Sequence, residues 1–278
     1  MRVTVTGASG FIGRHVVREL RKRGAQVIAV SRHPDQPLDS GVTPCARDIK
    51  VMDRSTLDRI GKSDVLLHLA WGGLPNYRSA HHLESEMPMH AEFLESCIIG
   101  GTDRVVVVGT CFEYGLQSGE LDETAPAQPI TAYGQAKHSL HRHLLHLRER
   151  HEFGLGWFRP FYLYGDGQAA TSLYAQLRTA IDSGSPDFDM SHGDQVRDFL
   201  PIELAASRIA ALALTHADMG TVNLCSGKPT RVIDIVREWL QEWNADIVLN
   251  RGVHPVPDYE PFAFWGNARR QNALLEST

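Results

Sequence analysis

The chain has 278 residues, enough for one or two domains, with 42% hydrophobic and 22% charged residues, the composition of a chain with a full core. Lys and Arg number 28 against 33 Asp and Glu; the net charge of −5 gives no overall field for nucleic acid or an anionic membrane. No apolar run nears the roughly 18 residues of a membrane span, and Met1–Gly7 is too short and too soon interrupted for a secretory signal. Cys45, Cys97, Cys111 and Cys225 are scattered, with no Cys-x-x-Cys pair, so reduced thiols and a cytoplasmic protein are expected.

In chain order, the β-branched run Val3–Thr6 ends at Gly7, and Phe11, Ile12, Val16, Val17 and Leu20 then recur at helical spacing as far as Gly24. Strands are expected at Gln26–Val30, Asp64–Ala70 and Arg104–Val108, with a helix over Leu83–Ile99. A long helix over Thr131–His151 precedes a strand at Leu155–Phe158. Continuously apolar strands separated by amphipathic helices specify α/β architecture, a Rossmann-type doubly wound parallel sheet covered on both faces. Past Pro160 the pattern loosens into helices at Ser172–Ile181, Ile202–His216 and Val232–Trp243 and a strand at Val222–Leu224. This texture divides the chain into a dinucleotide-binding domain over 1–165 and a smaller substrate-binding lobe over 166–278 whose segments interleave with the sheet. Trp239 and Trp243, four apart, read as core packing.

Gly7-Ala8-Ser9-Gly10-Phe11-Ile12-Gly13 stands between the first strand and the first helix. Glycines there allow a tight turn, bare amides beside a pyrophosphate, and close helix–strand packing, while the helix N-terminus favours the anion. An acidic residue ending the second strand would bind a ribose hydroxyl and repel a 2′-phosphate; here Ser31 and Arg32 stand instead. A hydroxyl and a guanidinium suit a phosphate, so the expected cofactor is NADP(H). Asp48, ending the expected third strand, is assigned to the adenine edge.

Tyr133 and Lys137 lie four apart on one face of the long helix. An ammonium beside a phenol favours the phenolate and lowers the tyrosine pKa, which suits proton transfer to a carbonyl oxygen as hydride arrives. Thr110 follows the Arg104–Val108 strand, above the carboxyl ends of the strands where ligands bind in such sheets, and its hydroxyl is assigned to the substrate oxygen. Five histidines cluster on or near that helix, His138 and His141 among them, but no neighbouring Cys or carboxylate completes a zinc spacing, and no metal is expected.

Together, Gly7–Gly13, Thr110 with Tyr114-Gly115, and Tyr133/Lys137 resemble the extended short-chain dehydrogenase/reductases that act on nucleotide sugars. The resemblance spans nearly the whole chain. It implies that Arg159–Gly165 flanks the nicotinamide, that Arg197 binds the sugar-nucleotide diphosphate, and that Asn223–Gly227 belongs to the substrate lobe. With it come cofactor roles for Gly7, Ser9, Gly10, Phe11, Ile12, Gly13, Ile49, Leu69, Ala70, Val108, Pro160 and Leu163, beside Tyr133 and Lys137. Substrate roles fall on Trp71, Gly72, Thr110, Tyr162 and Arg197. Gly109–Gly119 and Pro257–Gly266 carry a narrower resemblance, to reductases that form dTDP-D-fucose from dTDP-4-dehydro-6-deoxyglucose.

The chain departs from related patterns. Cys111-Phe112 follows Thr110 where dehydratases of the family carry Asp-Glu, which disfavours dehydration; Cys111 reads as a packing residue. Glu86 and Tyr162 stand where many relatives carry Asn. The expected activity is NADPH-dependent reduction of a 4-keto group on a dTDP-linked or other nucleotide-linked 6-deoxyhexose. A 4-epimerase on retained NAD is the alternative, and a non-catalytic NADP(H)-binding regulator is a third reading. The resemblance also implies a homodimer through the Tyr/Lys helix, although that helix is rich in His and Arg and offers no apolar seam.

Overall fold

The computed structural model describes residues 1–32, 41–51, 53, 56, 57, 60 and 62–277. Strand β1 (Arg2–Thr6), helix α1 (Phe11–Lys22), β2 (Gln26–Ser31), β3 (Val42–Ala46) and β4 (Val65–His68) lead to a π-helical turn at His82–Glu86. That turn runs directly into α2 (Met87–Ile99), followed by β5 (Arg104–Val108), a 3₁₀ turn at Cys111–Tyr114 and β6 (Gly119–Leu121). Next come α3 (Ala132–Leu147), β7 (Gly154–Pro160), β8 (Tyr162–Tyr164), α4 (Leu173–Asp182) and β9 (Asp187–Met190). The chain closes with β10 (Val196–Arg197), β11 (Phe199–Pro201), α5 (Ile202–Thr215), β12 (Gly220–Leu224), β13 (Thr230–Arg231), α6 (Val232–Glu242), β14 (Val248–Arg251), β15 (Phe264–Gly266) and α7 (Arg269–Glu276).

Seven parallel strands form the central sheet in the order β12-β7-β5-β4-β1-β2-β3. Its strands are apolar on both faces because helices cover both. On β5, Val106 and Val108 join α1 and α5 in one core, while Val105 and Val107 join α2 and α3 in the other. The strand order reverses beside β1, which opens a crevice between the ends of β1 and β4. Edge strand β12 pairs with β7 in register Val222↔Phe158, so the sheet takes its seventh strand from beyond residue 165.

A smaller core lies between α4, β9, α6 and β14; Trp239 is buried there and Trp243 packs against it, as their spacing predicts. A fourth cluster, with Cys111, Tyr114, Phe161, Cys225 and Phe264, joins the two halves. The helix expected over Thr131–His151 stops at Leu147. Arg148, Glu149 and Arg150 are all exposed, so no apolar face remains to hold another turn. The strand expected over Asp64–Ala70 pairs only from Val65 to His68; Leu69 and Ala70 leave the sheet and become a wall of the crevice. Among the described residues no helix is long and apolar enough to cross a membrane.

Candidate active site

The crevice holds a cavity of about 210 Å³ lined by Gly7, Ser9 and Gly10 on one side and Leu69, Ala70, Trp71 and Gly72 on the other. Gly10 caps α1 without a side-chain hydrogen bond, and the first turn carries no acid, so the helix dipole is left for a bound anion. Gly7 has φ 66°, and a Cβ there would come within 2.8 Å of the Ala70 backbone nitrogen; at Gly13 it would come within 2.1 Å of the Gly7 oxygen. The glycines thus serve the turn and the approach of α1 to β1. Phe11 and Ile12 pack against the core behind the turn.

At the far end of the cavity stand Val30, Ser31, Arg32, Arg47, Asp48, Ile49 and Lys50. Ser31 is buried and shares a 2.7 Å hydrogen bond with Ser9. Arg47 follows β3 as Arg32 follows β2. Asp48 lies two residues past β3 and accepts the Lys50 amide at 3.0 Å. The donor set, the dipole and the glycine cradle fit the adenosine and pyrophosphate of a dinucleotide.

Trp71 closes the other end of the cavity, held in a dense aromatic setting. His90 stacks on it at 4.5 Å, and its indole N–H donates to His82 Nδ1 at 3.1 Å. His82 Nε2 sits 2.9 Å from the Asn76 carbonyl and must donate there, so one tautomer satisfies both partners. A buried file runs behind: Thr6 Oγ1 to His68 at 2.9 Å, His68 Nε2 to His90 Nδ1 at 2.8 Å, and His90 Nε2 to Glu86 at 3.2 Å. Burial lowers the pKa of both His68 and His90. Hydrogen bonds from His90 and from the Gly72 amide, the latter at 2.6 Å, outweigh burial and bring Glu86 down to about 2. Glu86, noted in the sequence as a departure, therefore anchors the Trp71–Gly72 loop, and His90 one helical turn later belongs to the same wall.

Beyond Trp71 lie Thr110, Tyr133 and Lys137, each buried. Thr131 caps α3 by accepting the Gly134 amide at 3.0 Å, which starts the helix so that Tyr133 and Lys137 face the sheet. Lys137 Nζ donates to the Val108 carbonyl at 2.8 Å and lies 4.0 Å over the Trp71 ring, but 6.0 Å from the Tyr133 ring centroid. Desolvation draws Lys137 down to about 7. Burial raises Tyr133 far above an ordinary tyrosine, with Tyr77, Cys111 and Glu113 adding to the rise and a hydrogen bond from Thr110 opposing it. Burial thus holds the Tyr133 phenol protonated, with Lys137 Nζ 6.0 Å from its ring centroid. Burial also raises Cys111, an inert packed thiol.

Tyr77, Phe112 and Tyr259 pack together beside Tyr133, with Tyr77–Phe112 centroids 4.9 Å apart and Tyr77–Tyr133 at 5.7 Å. Sequence reasoning missed Tyr77 and Tyr259 because they reach the site from separate loops. Arg197 is committed inside the protein: it donates to Glu260 at 2.8 Å, the Tyr162 hydroxyl at 3.2 Å and the Phe262 carbonyl at 3.0 Å. Pro160 ends β7, and Leu163 is buried in β8. Asp198 accepts the Ser226 and Gly227 amides at 2.6 and 2.9 Å, which fixes the Asn223–Gly227 segment. His138 and His141 do acquire a carboxylate in three dimensions, since Glu113 comes within 4.8 Å of both. That carboxylate already serves Thr110, Trp157 and Arg159, and the Arg159 guanidinium supplies the positive charge.

The chain belongs to the NAD dependent epimerase/dehydratase family, whose model matches residues 3–225. It is 32% identical over 270 residues to dTDP-6-deoxy-L-talose 4-dehydrogenase (NAD(+)) of Aggregatibacter actinomycetemcomitans, covering 96% of this chain and 99% of that one. Among solved structures it is similar to MoeE5 in complex with UDP-glucose and NAD, with TM-score 0.83 and 26% identity over 99% of this chain and 92% of that one. The fold also matches TunA, an NAD dependent NDP-hexosamine 5,6-dehydratase, with TM-score 0.85 and 24% identity over 99% and 91% of the two chains. Enzymes of this family work on nucleotide sugars with a nicotinamide cofactor.

Proposed function

We propose that the protein reduces the 4-keto group of a dTDP-linked 4-keto-6-deoxyhexose with NADPH, dTDP-4-dehydro-6-deoxyglucose being the substrate and dTDP-D-fucose the product. The observation that carries this reading is the layout of the crevice. Thr110, Tyr133 and Lys137 lie together on the far side of Trp71, with Lys137 over its ring and Tyr133 against its edge, while Ser31, Arg32 and Arg47 line the cavity that Trp71 bounds. The relative from Aggregatibacter, named for action at C4 of dTDP-6-deoxy-L-talose, supports a dTDP-linked 6-deoxyhexose as the class of substrate and C4 as the carbon. Its NAD(+) leaves the choice of dinucleotide to the Ser31/Arg32/Arg47 end, where no acidic residue ends β2 and two guanidinium groups can meet a 2′-phosphate.

Bound NADPH supplies the hydride. Thr110 donates a hydrogen bond to the ketone oxygen, and Tyr133 delivers the proton to it. Lys137 holds the nicotinamide ribose and, when charged, favours the phenolate left behind. That the chain retains Thr110, Tyr133 and Lys137 counts against a regulator that only binds the dinucleotide. The test is loss of reduced-nicotinamide absorbance with dTDP-4-dehydro-6-deoxyglucose, NADPH and NADH run in parallel. Stoichiometric oxidation, faster with NADPH, is expected; no oxidation of either cofactor, with interconversion of 4-epimers instead, would hand the reading to the epimerase.

A further inference from the structure

Glu113 is fully buried in the turn after β5, yet it carries a carboxylate. Its Oε1 accepts the Thr110 amide at 3.0 Å and the Trp157 indole N–H at 2.9 Å, and its Oε2 accepts Arg159 Nε at 3.0 Å. In return Thr110 Oγ1 accepts the Phe112 amide at 3.2 Å, which completes a capping pair around a four-residue turn. That bond fixes the Thr110 side chain and leaves its hydroxyl proton to be given toward Tyr133. The site is built around the carboxylate: a Cβ on Gly109 would lie 2.4 Å from both Glu113 Oε1 and Trp157 Nε1. Trp157 in turn stacks on His141 at 4.5 Å, and His141 stands one turn beyond Lys137 on the face that carries Tyr133.

We propose that Glu113 is the positioning residue of this site, registering the Thr110 hydroxyl against the Tyr133/Lys137 face of α3 by tying the Thr110 amide to Arg159 of β7. This rests on the reading of Thr110 as donor to the ketone oxygen. Burying an ion pair for bulk stability alone is a poor bargain against apolar packing, whereas three donors converging from the turn and β7 define a geometry. Glu113 itself takes no part in proton transfer, since both oxygens are engaged within the protein.

The experiment compares wild type, Glu113→Gln and Trp157→Phe by steady-state kinetics and by hydrogen exchange of the segment spanning residues 109–116. Glu113→Gln is expected to lower kcat by roughly 10²-fold, with KM for ketosugar and dinucleotide little changed, because the loss is one of alignment. Exchange across 109–116 quickens in that variant without ligand. Trp157→Phe keeps the Thr110 bond and the charge pair, and its kcat stays within a few-fold of wild type. If Glu113→Gln does not fold, Glu113→Gln/Arg159→Met removes both charges together and the same fall in kcat is expected. Unchanged kcat in the folded variant, a KM rise that accounts for the whole loss, or an equal fall in Trp157→Phe would each overturn the proposal. Should wild type reduce no ketosugar, the proposed activity fails, and the exchange arm alone decides whether Glu113 holds the turn.

Discussion

Tyr133, Lys137 and Thr110 were legible as residue types at a spacing, while burial shifts the titration of two of them, raising Tyr133 and lowering Lys137. Replacing Tyr133 with Phe removes the proton donor and keeps the ring packing; ketosugar turnover should fall by roughly 10²–10⁴-fold while dinucleotide affinity, read by calorimetry, stays as in wild type. Wild-type turnover in that variant would end the assignment. Lys137 titrates near 7 in the fold against 10.5 ordinarily, so below about 7 both folded and unfolded chains hold its proton and the burial penalty is complete. Between those values the unfolded chain binds more protons, and the penalty lifts as pH rises. In urea melts, wild type should therefore gain stability relative to Lys137→Met from about pH 7 to pH 10, whereas a difference independent of pH would show that Lys137 is not desolvated.

At the scale of elements, the glycine turn was the clearest signal because its constraint is local: backbone must pass where no side chain fits. Gly13→Ala puts a methyl 2.1 Å from the Gly7 carbonyl, so α1 must shift away from β1. A stability loss of about 1–3 kcal/mol in denaturant melts and weaker binding of NADP⁺ should accompany it. An alanine that left both untouched would mean the turn has slack the geometry does not show. Element ends were less legible. The His82–Glu86 π turn carries no compositional mark, yet it turns Glu86 toward Gly72 and His82 toward Trp71. Helix α3 ends at Leu147, ahead of the expected His151, where the exposed Arg148, Glu149 and Arg150 end its apolar face.

For the molecule as a whole, α5 belongs to the same core as α1, with Ile202, Ala205, Ala206, Ile209 and Ala213 packed beside Val16, Val17 and Leu20. Residues 1–165 alone would expose that face and the β7 edge where β12 pairs. We expect a 1–165 fragment to lack a cooperative thermal transition and to bind a hydrophobic dye; a sharp calorimetric transition would establish it as an autonomous domain. The sequence by itself determined the alternating strands and helices, the glycine turn after β1 and the Tyr133/Lys137 pair, all of which are written within a few turns of chain. Only the tertiary structure decided that Glu113 meets Arg159, that Arg197 is held by Glu260 and that His90 backs Trp71. Side chains brought together from distant elements leave no periodic trace, and the low-polarity interior that fixes their protonation exists only once the layers have closed over them.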